Sequence, residues 1–343
     1  MSHRASVRAL AAVGVAALLV TIPVAGQTAE KSPAGSAATQ VKPTAIPRTA
    51  DGHPDLSGVY TNATNVPVTR PANLGAKEFY ADAAEQQAAR QAGGGGGRGG
   101  RGARPIDPET GQPALAVHYD TSQFGYAGDA VTRASSLRTS VITGPEGRVP
   151  PLTAEAQKRQ AANRAYTNDH QFDGPENRPL PERCLLWQGE GPPMMPEPFD
   201  SNIQILQGPG YVDVLQEMIH DARVIPTDGR PHLPQSIRQW MGDARGHWEG
   251  DTLVVETTNF TERTLVQQAF TTAKLKVIER FSRVDANTVL YQFTVDDPGT
   301  WIKPWSGELT LRKIDGPIYE YACTEGNRGM ANNLRGARAT EKK

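Results

Sequence analysis

The sequence predicts a mainly β protein: an antiparallel up-and-down meander closing into a lipocalin-like barrel, accompanied by two short N-terminal helices and long irregular segments. Three observations carry this. Short apolar runs recur from Asn202 to Glu325. Between them stand turn sequences of Gly, Asp, Asn and Pro: Gly208-Pro209-Gly210, Gly250-Asp251, Asp285-Ala286-Asn287 and Asp315-Gly316-Pro317. Folding the runs about those turns also matches side chains across them. Trp248 meets Leu253, Arg245 meets Glu256, Phe281 meets Tyr291, Arg280 meets Gln292, Arg312 meets Glu320 and Leu311 meets Tyr321, the pairings that cross-strand energetics favour.

The elements follow in order. Arg4 and Arg8 precede a small-residue apolar run from Ala9 to Ala25, and Val24-Ala25-Gly26 suits signal peptidase, so residues 1–29 read as a signal peptide. The run is short for a membrane span and is broken by Gly14 and Pro23. Residues 30–75 are Pro/Thr-rich, and Asp51 to Tyr60 within them reads as a turn followed by one short strand, expected as an added edge of the sheet. Residues 76–91 are Ala/Gln/Glu-rich and helical in propensity. Residues 92–110 form a Gly/Arg-rich insert whose glycines favour disorder.

A connection over 135–200 follows, with a second helix starting at Thr153, where an acid at Glu155 suits the first turn, and then a Pro-rich stretch. Strands are expected near 202–207, 211–218, 220–226, 245–249, 252–258, 275–283, 288–296, 306–313 and 318–324, within an antiparallel β domain at 201–335, and 336–343 reads as a disordered tail. Closing the sheet removes exposed edges. A barrel of about eight strands is either filled by side chains or holds one small ligand. The long connection 227–244 is placed to fold over one mouth.

Bulk properties narrow the function. A net charge of −1 provides no field for a polyanion, so nucleic acid is not expected as a partner. With the signal removed, no later segment is apolar enough to span a membrane, and a periplasmic or secreted location follows. Cys184 and Cys323 are the 2 cysteines of the chain and are expected as a disulfide in such a compartment, with two free buried thiols as the alternative. A closure that long stabilises by roughly 3–5 kcal/mol on the chain-entropy account. Without a CxxC they make no zinc or redox site, and no cofactor is implied.

Candidate chemistry sits at three places. Glu279 alternates with Val277 and Phe281 and so lies on an apolar strand face. Either it is a general acid or base with a raised pKa, or a structural carboxylate satisfied by an arginine such as Arg283 or Arg238. His220, with Asp221 and Arg223 after it and Glu217 before it, is either an acid/base group or a hydrogen-bonded core residue. His220, His232 and His247 match no local zinc spacing, so no metal is expected. Finally, Ile237 to Asp251 packs aromatic and charged residues into a loop leading to a hairpin. There Trp240, with Trp301 and Trp305, can stack on a sugar or aromatic ring. Arg238 or Arg245 can hold an anionic group, with His247 among the ligand-binding residues, or the same residues can seal a barrel end. Serine catalysis lacks a GxSxG elbow.

The segments Pro54 to Tyr60, Glu182-Arg183-Cys184-Leu185, Ile237 to Thr257, Glu279-Arg280-Phe281 and Tyr319 to Asn327 resemble an uncharacterised family of secreted bacterial proteins. The family pattern implies a histidine where this chain has Thr324 and a tryptophan where it has Tyr60. Taken together, the sequence predicts an exported barrel that binds a small organic molecule or sugar at its mouth. A lyase, isomerase or hydrolase using Glu279 or His220, and a non-catalytic module of the cell envelope, stand beside it.

Overall fold

The computed structural model describes residues 46–92, 136–197 and 200–341. The signal peptide read at 1–29 and the Gly/Arg insert, past its first residue, lie outside them. Nine strands form one antiparallel sheet: β1 (Gly58–Thr61), β2 (Asn202–Gly208), β3 (Tyr211–Gln216), β4 (Ala222–Pro226), β5 (Asp243–Glu249), β6 (Thr252–Thr258), β9 (Lys276–Asp285), β10 (Thr288–Asp296) and β11 (Trp305–Lys313). A separate small hairpin pairs β7 (Leu265–Val266) with β8 (Ala269–Phe270). The helices are α1 (Ala83–Ala92), α2 (Ala154–His170) and α3 (Gly329–Thr340).

Spatial order follows chain order around the whole ring, with β11 returning to pair with β1. β1 is therefore the closing strand, held between β2 and β11, and not an added edge. The remaining junction, between β4 and β5, has the two strands side by side without a ladder, which leaves the barrel nearly closed. Gly246 sits at that seam. A Cβ there would meet the side-chain methyls of Ile225 and Thr227 at 3.0 Å, so the missing side chain is what lets the strands approach.

Period-2 alternation builds the core. Buried residues alternate along β9, β10 and β11, placing Val277, Phe281, Val289, Tyr291, Phe293, Val295, Leu309 and Leu311 inside. Rings of Phe281, Tyr291, Phe293, Trp305 and Trp301 follow one another with centroids 5.0 to 5.8 Å apart. The lumen is thus occupied by side chains.

Registers at two hairpins match the sequence expectation: Trp248 pairs with Leu253, Arg245 with Glu256, Phe281 with Tyr291 and Arg280 with Gln292. The hairpin at Asp315-Gly316-Pro317 does not form. Arg312 pairs with Thr61 and Thr288, because β1 takes the edge of β11 that 318–324 was expected to take. Residues 318–324 carry no strand, and the chain continues into α3 where an unstructured tail was expected. The connection after β4 runs back along β5 and β6: Pro231 accepts from Arg245 Nε at 2.9 Å, and Asn259 Nδ2 donates to the Leu233 carbonyl at 2.9 Å. Helix α2 starts where expected, with the Thr153 hydroxyl accepting from the Ala156 amide at 3.1 Å.

Cys184 and Cys323 form a disulfide across a separation of 139 residues. No described helix is long and apolar enough to cross a membrane.

Candidate functional site

Three places gather polar chemistry. The first is the barrel centre. Glu279 is 0% exposed and accepts a bidentate pair from Arg223, Nη1 to Oε2 at 2.8 Å and Nη2 to Oε1 at 2.9 Å. The Tyr291 hydroxyl adds a bond to Oε1 at 2.8 Å. Arg223 comes from β4 and Glu279 from β9, so the pair spans the lumen. Burial works against the Arg223 charge, yet Glu279 outweighs it and the guanidinium pKa is raised overall. Burial, then the Glu279 charge, push Tyr291 well above the ordinary tyrosine range. Every acceptor on this carboxylate faces a donor and side chains seal it from solvent: it is a structural ion pair.

The partner is Arg223 in place of the arginines expected. The reason is strand register: β4 runs Ala222–Pro226 and turns Arg223 inward with Ile225. Arg283 closes the far end instead, donating to the carbonyls of Asp55, Asp285 and Ala286 and to the Tyr60 hydroxyl. Arg238 donates to the Ala273 carbonyl at 3.0 Å.

The second place is the opposite mouth, where residues 187–197 form a plug. Met194 is 0% exposed and its amide donates to Tyr291 Oη at 2.9 Å, so the plug touches the central network from above. Asn62 Nδ2 donates to the Met195 carbonyl at 2.9 Å, and the Gln216 amide to the Glu190 carbonyl at 2.5 Å. Gly191 turns the chain with φ +86°, and a Cβ there would meet the Met194 nitrogen at 2.5 Å.

On this plug Glu190 is also 0% exposed. Its Oε2 accepts from the Trp187 amide at 3.2 Å, while Oε1 is buried without a donor. Asp221, in the turn between β3 and β4, stands beside it: Gln216 donates its main-chain N–H to the Asp221 carbonyl at 2.9 Å and its side chain to the Glu190 carbonyl, and the two carboxyls act on each other. Burial, with the charges of Asp221 and Glu197 adding to it, pushes Glu190 up to about 9. Burial also pushes Glu197 up to about 7, against the bond it accepts from Trp187 Nε1 at 3.0 Å.

The third place is a cleft outside the barrel, between α2, the turn at 175–177 and the β7–β8 hairpin. Its main lobe is about 730 Å³ and a second lobe is about 400 Å³. Asn163, Thr167, Asn177, Arg263 and Phe270 line both. Helical spacing puts Arg159, Asn163, Tyr166 and Thr167 on the cleft face of α2. Arg159 Nη2 donates to the carbonyls of Phe270 and Gly299, both at 3.2 Å, and its Nε is a buried donor without an acceptor. Arg263 lies over the Trp240 ring, 5.9 Å from its centroid. Among the described residues Arg159, Arg164 and Arg263 form no ion pair; Glu176 and Glu262 supply the acid of the lining.

The sequence-predicted ligand residues are not brought together. Trp301 and Trp305 are 3% and 5% exposed and belong to the core. Arg245 is tied to Asp243 Oδ1 at 2.7 Å, and His247 is exposed beside Glu249 at 3.2 Å. Trp240, through Arg263, is the one that reaches the cleft rim. His220 is an exposed residue of a 3₁₀ turn at Met218–His220, and the strand expected from 220 begins at Ala222. No group of 3 His, Cys, Asp or Glu among the described residues is arranged to hold a metal ion.

Sequence reasoning missed Glu190 and the α2 arginines. Glu190 lies in an irregular Gly/Pro/Met stretch with no period to assign it a face. Arg159 and Asn163 do stand four apart in a helix with few apolar residues, which was a readable signal. No protein-family model matches the chain, and no curated protein is similar to it in sequence.

Proposed function

We propose that this is an exported protein whose filled barrel is a scaffold, and that it binds a small organic molecule carrying an anionic group in the cleft beside α2. The observation that carries this reading is a two-lobed cleft in the size range of small-molecule sites, lined by three guanidinium groups with no carboxylate partner among the described residues. Guanidinium forks suit carboxylate and phosphate. Phe270, Tyr166 and the nearby Trp240 offer flat apolar surface for the rest of the molecule. The apolar, positively led N-terminus, the disulfide and the resemblance to secreted bacterial proteins support export.

The test is a thermal-shift titration of the mature protein against aromatic carboxylates, sugar phosphates and neutral sugars. Anionic members raise the midpoint with concentration by mass action. Arg164→Ala and Arg263→Ala remove that shift while leaving the unliganded midpoint nearly in place, since neither side chain holds the core. A shift from neutral sugars alone, or one untouched by both substitutions, rejects the cleft.

The filled lumen favours a second reading, a non-catalytic module of the cell envelope. That reading stands if no member of the panel moves the midpoint.

A further inference from the structure

Glu190 and Asp221 approach each other, and Glu190 has too few donors for an ionised carboxylate. Glu190 Oε2 has the Trp187 amide; Oε1 is buried with none. Glu197 faces Glu190 from the same segment, and His220 stands beside Asp221 in the turn. Tyr321 comes from the segment that the disulfide tethers, and is pushed upward by burial and then by the charges of Asp200 and Glu190. Gln216, on β3, is neutral and donates to the Glu190 main chain. Among the described residues no lysine or arginine acts on Glu190. Two ionised carboxylates side by side there would repel, and Glu190 would keep a buried oxygen without a partner. A single proton on Oε1 resolves both problems, because Glu190 then donates to Asp221.

We propose that the Glu190–Asp221 pair is a proton-binding site, and that the bound proton pins the 187–197 plug to the turn between β3 and β4. The plug's other anchors, Tyr291, Asn62 and Gln216, are neutral. The carboxyl pair is therefore the anchor whose strength depends on pH.

The sign follows from linkage. Glu190 holds its proton more tightly folded, with a pKa of about 9, than unfolded near 4.5. The folded state therefore binds more protons between those values, and its stability falls as pH rises through that window. Glu197, raised to about 7, acts in the same direction over the lower part of it.

Two measurements on the full mature chain test the site. Thermal midpoints of wild type and Glu190→Gln are compared from about pH 5 to about pH 9. Wild type loses stability toward the alkaline end. Glu190→Gln, whose amide can donate to Asp221 without titrating, has a flatter profile and overtakes wild type there. Equal slopes in the two proteins overturn the proposal. Infrared difference spectra of wild type alone supply the second readout, independent of whether the variant folds. A carboxylic-acid carbonyl band persists near pH 8 and vanishes above about 9; its absence near pH 8 overturns the proposal.

Discussion

Two glutamates in this protein are equally hidden and oppositely supported. Glu279, at the barrel centre, and Glu190, in the plug above it, are each 0% exposed. Glu279 receives two bonds from Arg223 and one from Tyr291. Glu190 receives one main-chain amide and faces other carboxyls. Burial alone therefore does not mark a functional acid; what the surroundings offer the charge does. The group that the strand pattern singles out is the satisfied one, and the unsatisfied one sits where no pattern exists. Tyr291 links the two, donating to Glu279 and accepting from the plug at Met194.

The largest effect is expected from breaking the satisfied side. Arg223→Met leaves Glu279 buried without its cation and should cost about 3–5 kcal/mol in urea unfolding. A cost under about 1 kcal/mol would show that the pair contributes as little as an exposed one. Next comes the frame around the unsatisfied side. Replacing Cys184 and Cys323 by Ser frees the segment carrying Tyr321 and should cost about 2–4 kcal/mol. It should also flatten the pH profile of the unfolding midpoint, because water then reaches Glu190. The smallest effect is expected at the link. Tyr291→Phe removes a hydroxyl bonded on both sides and should cost about 1–2 kcal/mol, leaving the ion pair and the pH profile as they are.

The barrel was legible because its information is local. Alternation along Lys276–Asp285 and Thr288–Asp296 fixes which side chains point inward, and the turns between strands fix register, so Phe281 was matched to Tyr291 without coordinates. Where register depended on a distant strand the reading failed: nothing near Arg312 says that Thr61 will pair with it. The inward turn of Arg223 was lost for a related reason. A 3₁₀ turn at Met218–His220 takes the end of one expected strand and the start of the next, so that the second begins only at Ala222.

The tryptophans show a third kind of limit. Trp301 and Trp305 carry the same composition signal as Trp240, but whether a ring seals a core or lines a cleft depends on what packs over it. Here Leu152 pairs with Trp301 by an isolated bridge, from a segment more than a hundred residues earlier.

The most direct test of the contrast is one urea-unfolding experiment near pH 8 on wild type, Glu279→Gln and Glu190→Gln. Removing the charge from Glu279 should destabilise by about 2–4 kcal/mol, since Arg223 is left buried beside a neutral partner. Removing the titrating group at Glu190 should raise stability above wild type. Shifts of the same sign in the two variants would contradict the account.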